Sequence, residues 1–433
     1  MMDRRTVLAL TGASAALVAT KVAAAASARF PHDFLWGAAT AGHQIEGNNV
    51  ASDNWLLEHV QPTIFAEPSG DACNSLELWP VDLDLVRQLG LNAYRFSLEW
   101  SRIEPEPGLF SMAMLDHYKA IIEGCRERGI TPVVTFNHGT APRWFAARGS
   151  WRNPESPQLF ARFCDRAARH LAGGIGYAST LNEPNSSIIV ASVFPAQFRD
   201  SVRAMKAAAA RACNANEFGG LLEDADDLPL VQSNLIAAHK AGKTAIKAAR
   251  SDLPVGVNLS MQDDQSGSAN SLRDAKRAAF YGAWLEVART DDFVGVQNYV
   301  RVRWGDAGAL PPPPGARLDM NGSEVFPPSL ANAVRYAHAA TGVPVMVTEH
   351  GVVTPDDSIR ATLIPSALTE LRKVIAEGVP VKGYLHWTLM DNFEWFFGFS
   401  HTYGLCSVDR TTFKRTPKPS AHVLGAIARR NAV

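Results

Sequence analysis

Short runs of β-branched and other apolar residues recur along the chain, each followed by a longer stretch whose apolar positions return every three or four residues. Runs of the first kind occupy 34–39, 93–99, 132–138, 177–183, 254–260, 293–299, 344–349 and 381–387. They read as buried strands, being short, nearly continuous in apolar character and bounded by turn-forming residues. The helix-period stretches cover 76–89, 114–128, 157–171, 231–249, 274–287, 330–340, 364–376 and 420–430. Eight strand–helix alternations predict an α/β protein built as a single closed (β/α)8 TIM barrel over residues 29–433. An open doubly wound sheet is the competing architecture. It would want a G-x-G-x-x-G turn after its first strand, and Gly37-Ala-Ala-Thr-Ala-Gly42 lacks that spacing. Long βα loops are expected at 48–75, 185–227, 301–327 and 388–417, on the face where a barrel binds its substrate.

Two of the runs close on a carboxylate. Glu183 is followed at once by Pro184, and Glu349 by His350-Gly351, so both read as carboxyl ends of buried strands where the chain turns. Other polar and aromatic residues gather at the same predicted strand ends: Gln44, Glu46, Arg95, Glu99, His138, Asn182, Gln297, Tyr299, Trp387, Glu394 and Trp395. Any one of them alone reads as a satisfied core group or a loop cap. Their joint position on one rim suits a pyranose, which offers hydroxyls for hydrogen bonds and an apolar C–H face for stacking.

Hydrolysis of a glycoside needs one carboxyl group protonated beside the leaving oxygen and one ionised beside the anomeric carbon. Arg95, if it points at Glu349, keeps that carboxylate charged; the alternative is an internal salt bridge with Glu99. Glu183, less compensated, is then the group with the raised pKa. Asn182 stands next to it, placed to hold a sugar hydroxyl.

The charge balance changes the picture little. With 42 basic and 43 acidic side chains the 433 residues carry a formal −1, so no strong field favours nucleic acid or an anionic membrane, and a neutral substrate fits better. At the N-terminus, Arg4-Arg5, an apolar stretch over 7–18 and Ala26-Ser27-Ala28 together read as a secretory signal over residues 1–28, of the twin-arginine type. Its removal takes Asp3, Arg4, Arg5 and Lys21, leaving 39 basic and 42 acidic groups and a formal −3. An exported protein, periplasmic or secreted, is therefore expected, with no further segment that would insert in a membrane. The five cysteines, Cys73, Cys125, Cys164, Cys213 and Cys406, are widely spaced and show no metal-ligand pattern, and no metal or cofactor is expected. Cys125 and Cys164 fall in helical patterns and read as buried thiols.

Five blocks carry a resemblance: Phe34-Leu-Trp-Gly-Ala-Ala-Thr-Ala-Gly-His-Gln-Ile-Glu-Gly47, Tyr94-Arg-Phe-Ser-Leu-Glu-Trp-Ser-Arg102, Thr180-Leu-Asn-Glu-Pro184, Val347-Thr-Glu-His-Gly351 and His386-Trp-Thr-Leu-Met-Asp-Asn-Phe-Glu-Trp395. In their order and register they resemble the motifs of glycoside hydrolase family 1, the β-glucosidase family. The resemblance implies a (β/α)8 barrel and a retaining exo-β-glycosidase acting by double displacement on a small-molecule or oligosaccharide β-glycoside. It makes Glu183 the acid/base and Glu349 the nucleophile, roughly 5 to 5.5 Å apart. It also puts Gln44, His138, Asn182, Trp387, Glu394 and Trp395 around the cleaved sugar and Tyr299 against the nucleophile.

The departures from the family pattern concern the pocket. His138-Gly-Thr-Ala-Pro142 stands where His-Trp-Asp-Leu-Pro is usual, so hydrogen replaces an indole and leaves room. His350 and Gln297 each replace an Asn. His350 is either a titrating neighbour of Glu349 or, since side chains alternate along a strand, a residue pointing away. Glu394 and the lack of lysine in Ser400-His-Thr-Tyr403 argue against a phosphorylated sugar. A transglycosylase using the same intermediate, or a non-catalytic sugar-binding barrel, are the alternatives. Trp304, Leu310, the 311–314 proline run, Phe326, Phe396 and Phe397 read either as an apolar rim for the aglycone or as ordinary loop packing.

Overall fold

The computed structural model describes residues 29–433 except 194 and 221, and the expected export signal over 1–28 lies outside the described residues. Eight strands form the barrel: β1 (Leu35–Ala39), β2 (Ala93–Ser97), β3 (Thr131–Asn137), β4 (Tyr177–Asn182), β5 (Val255–Ser260), β6 (Phe293–Asn298), β7 (Val345–His350) and β8 (Val381–Trp387). Each pairs in parallel with the next, and β1 closes the ring against β8.

The surrounding helices are α1 (Ser75–Gln88), α2 (Met112–Glu127), α3 (Ser156–Leu171), α4 (Leu228–Ala249), α5 (Ala283–Ala288), α6 (Ser329–Thr341), α7 (Asp357–Ala376) and α8 (Pro419–Arg430). Their starts follow local chemistry. Ser111 caps α2 by accepting from the Met114 amide at 3.3 Å, and α3, α4 and α8 carry proline in the first turn, where no amide donor is missed. Two differences from the sequence reading have simple causes. Pro365 looks like a helix start, but the Asp356 carboxylate accepts from the Ser358 amide at 2.9 Å and α7 begins at Asp357, running through the proline. The segment 185–227 is no bare loop: it folds into helices Ser186–Val193 and Ala196–Ala212.

Side chains divide between two apolar layers. Leu35, Ala39, Ala93, Val133, Phe293, Met346 and Leu385 fill the barrel axis, while Phe34, Trp36, Phe96, Val134, Phe136, Val294, Val345 and Val347 pack outward against the helices. This is the period of two expected of strands covered on both faces. The pairing register shifts in three places: between Val345 and Val347 where β7 meets β8, between Ser179 and Asn182 where β4 meets β5, and between Val347 and Glu349 where β7 meets β6. The last two lie next to the two glutamates. Among the described residues all five cysteines are free thiols, and no helix is long and apolar enough to cross a membrane.

Candidate active site

Glu349 lies at the inner end of β7 and is held from three sides. Arg95, wholly buried on β2, donates through Nη1 to Oε1 at 2.5 Å; the Gln297 amide on β6 donates to the same oxygen at 2.9 Å; and the Tyr299 hydroxyl donates to Oε2 at 2.5 Å. The guanidinium is itself fixed by the Thr135 hydroxyl at 3.1 Å and the Asn182 carbonyl at 2.6 Å. Arg95 therefore points at Glu349. The Glu99 carboxylate is satisfied elsewhere, by the His43 amide, Asn49 and Thr140. Burial pushes the Glu349 carboxyl above its ordinary value, and the Arg95 charge and the Tyr299 hydroxyl oppose that shift.

Glu183 follows β4 with φ 43°, in the left-handed region, while its amide donates to the Asn258 carbonyl at 2.8 Å. A non-glycine residue held there turns its side chain away from the line of the strand. Among the described residues no cation forms an ion pair with its carboxyl. Burial, and secondarily the charge on Glu349, push it up to about 8, against a hydrogen bond from Ser260. The residue as a whole is partly exposed and lines the cleft. The two carboxyl groups thus line one pocket in opposite settings, one ion-paired and one not.

The sugar-facing wall is aromatic and hydrogen-bonded. The His138 ring stacks near Trp387 (5.7 Å, 19°) and Trp395 (6.3 Å, 18°), and His43 stacks on Trp395 from elsewhere at 6.0 Å and 2°. Asn182 accepts from Arg95 and Gln297 through its carbonyl, so its amide donates to His138 Nε2 at 3.1 Å. Burial, with the Arg95 charge, holds that imidazole well below its ordinary pKa. The neutral ring then carries its proton on Nδ1, a buried donor without a protein partner. Gln44 is anchored through its amide nitrogen to the Phe393 carbonyl at 2.8 Å and Asn392 at 3.1 Å, which leaves its carbonyl oxygen without a protein partner. Glu394, pushed well above its ordinary value by burial, accepts from the Trp387 indole at 3.3 Å and from Gln44 at 3.4 Å. Buried polar atoms left open in this way call for a polar ligand.

The cleft has a volume of about 320 Å³ and is lined by His138, Asn182, Glu183, Tyr299, Glu349, Trp387, Glu394 and Trp395, with Arg95, Gln44 and Gln297 behind them. Sequence reasoning missed Tyr403, which lines the cleft edge-on to Tyr299 at 5.8 Å. Gln297, expected on the rim and as a departure from the family pattern, joins Asn182 to Glu349. The expected apolar rim needs correcting. Of its members only Phe396 lines the cleft. Trp304 is buried with its indole on Asp264 at 2.7 Å, and Phe326 lies beneath the Arg301 guanidinium at 3.7 Å. The apolar surface comes instead from Trp151, Leu181, Val190, Leu222, Val231 and Leu235. His350 points outward to the Tyr384 hydroxyl at 2.9 Å, and burial lowers its pKa to about 3.

A parallel eight-stranded barrel whose rim brings two carboxyl groups and a wall of indoles into one cleft is the architecture of a glycoside hydrolase acting on O-glycosyl bonds. The chain belongs to glycosyl hydrolase family 1, whose sequence model matches residues 26–262 and 316–433. The unmatched stretch between them holds β6, with Gln297 and Tyr299. Among characterised relatives, Beta-glucosidase A of Thermotoga maritima is 28% identical, over 94% of this chain and 99% of that enzyme, and a Beta-glucosidase of an Agrobacterium species is 28% identical over 93% and 96%. Two solved structures are more similar. A beta-glucosidase designated 1317 shares 41% of residues with a TM-score of 0.89 over 92% of this chain and 99% of that one, and the beta-glycosidase BGL167 shares 45% with a TM-score of 0.87 over 93% and 98%.

Proposed function

We propose that the enzyme is a retaining exo-β-glycosidase, β-glucosidase-like in its chemistry, that works by double displacement on small β-glycosides. The observation that carries this reading is the pairing of Glu349, bound by Arg95 and Tyr299, with a Glu183 raised to about 8 in the same cleft. Glu349, kept ionised by its cation, attacks the anomeric carbon, while Glu183, protonated near neutral pH, gives its proton to the departing oxygen. Loss of that proton leaves Glu183 as the base that activates water against the glycosyl-enzyme. Gln44, His138, Asn182 and Glu394 take the hydroxyls of the bound sugar, and Trp387 and Trp395 its C–H faces. Export to the periplasm or beyond, through the segment over 1–28, fits the same reading, since a glycoside is met outside the cell.

A slow 2-fluoro glycoside tests the mechanism. The expected label falls on Glu349, and a label on any other residue, or none with the substrate turning over, overturns the assignment. Glu349→Ala should abolish turnover of an aryl β-glucoside, whereas Glu183→Ala should spare substrates with a good phenolate leaving group. Equal losses on activated and unactivated substrates contradict the role given to Glu183.

A further inference from the structure

The cleft is lined by more than the residues set around the cleaved sugar. It passes Gly139, at φ +84° and with the Trp395 ring 3.7 Å from where a Cβ would stand, and continues out of the barrel axis. Its far walls are Trp151, Leu181, Val231 and Leu235, which all belong to the apolar layer between barrel and helices. Leu181 faces that layer because the register break in β4 turns Asn182, and not Leu181, inward to Arg95. Gly139 places no side chain at this point of the cleft.

The lobe is not purely apolar. Asn54, 2% exposed, lines the cleft with its carbonyl oxygen lacking any protein partner, and His138 Nδ1 is open at the entrance. An indole and an unpartnered amide oxygen lining the same cleft match a sugar, whose hydroxyls donate and whose C–H face stacks. A hydrocarbon would leave the amide oxygen buried and unsatisfied.

We infer that this lobe is a second sugar subsite on the side of the cleaved sugar, so that the enzyme accepts β-glycosides of a disaccharide and releases the disaccharide whole. The inference rests on the proposed glycosidase reading, which assigns His138 and Trp395 to the cleaved sugar. The bond broken joins the inner anomeric carbon to the aglycone oxygen. Water gives its hydroxyl to that carbon and its proton to the aglycone, and the bond between the two sugars stays intact.

The test uses nitrophenyl β-glycosides of disaccharides linked 1→2, 1→3, 1→4 and 1→6, built on whichever sugar the purified enzyme removes as a simple nitrophenyl monoglycoside. Chromatography reads the first products. At least one linkage should release nitrophenol and intact disaccharide in equal amounts before any monosaccharide appears. Leu235→Trp, or Val231→Phe should the first fail to fold, should then lower kcat/KM for that diglycoside about tenfold or more relative to the monoglycoside. Monosaccharide as the only first product from every linkage, with the monoglycoside still cleaved, overturns the lobe alone, as do equal losses on both substrates in the variant. Failure on monoglycosides and diglycosides together overturns the glycosidase reading and the lobe with it.

Discussion

Arg95→Met probes the electrostatics of the site most directly. Methionine keeps much of the length and apolar stem but removes a wholly buried guanidinium that donates to Glu349, Asn182 and Thr135. Gln297 still reaches both Glu349 Oε1 and the Asn182 carbonyl, so neither oxygen loses its last donor. The loss is therefore chiefly one of charge. Burial already favours the protonated Glu349, and Arg95 is the largest influence opposing it. Removing an opposite charge at contact distance moves a carboxyl by about 1–3 pH units, here upward. At a fixed mildly acidic pH the ionised fraction, and with it kcat/KM, should fall by about 10- to 1000-fold. Raising the pH should restore part of the rate. The assay is kcat/KM for a nitrophenyl β-glycoside over about pH 4 to 9, because a good leaving group needs little help from the acid. The acid limb should move up by one unit or more. A uniform loss with the limb in place would refute the reasoning and make Arg95 a packing element only.

Three other outcomes follow from the same geometry. With an aryl glycoside of moderate leaving ability kcat/KM should fall as pH rises through about 8, as Glu183 gives up its proton, and that alkaline limb should vanish on the same substrate in Glu183→Gln; a limb unchanged in the variant would assign it to another group. Glu183 also bears on stability. Its ordinary value is 4.5 and its folded value about 8, so the folded state binds the proton more tightly and stability is lost as pH rises from about 4.5 through about 8. Glu183→Gln should then raise Tm at neutral pH by about 1–3 °C or more, with no gain below pH 4.5; equal Tm shifts at both pH values count against it. His350→Asn should change KM or the pH optimum by less than about tenfold, since the ring faces Tyr384 outside the barrel; a loss as deep as that of Glu349→Ala would contradict this.

The number and order of the barrel elements were legible in the chain because each element announces itself locally. A strand buried on both faces must be continuously apolar, a covering helix must repeat every 3.6 residues, and neither depends on what lies across the fold. The polar strand ends were legible for the same reason: Glu183 and Glu349 interrupt apolar runs at their last residues. The helix over 196–212 was missed because its buried residues, Val202, Met205 and Ala209, face a loop-built cluster with Phe65, Phe218 and Phe393, and the one over 186–193 because it buries little beyond Ile189, so no barrel-facing stripe marks either.

What the sequence by itself determined was therefore the architecture and the identity of the polar groups on its rim. Their aim was decided in three dimensions. Strict alternation from Met346, which faces the axis, would send the Glu349 side chain outward with Val345 and Val347; the register break against β6 brings it to Arg95 instead. The same kind of break in β4 turns Asn182 inward and Leu181 out, opening the wall of the side lobe. Gln297 bridges two groups that lie 115 and 52 residues away in the chain. Such breaks and bridges depend on how neighbouring strands stagger when the barrel closes, a property of pairs of distant segments that no single run of residues carries.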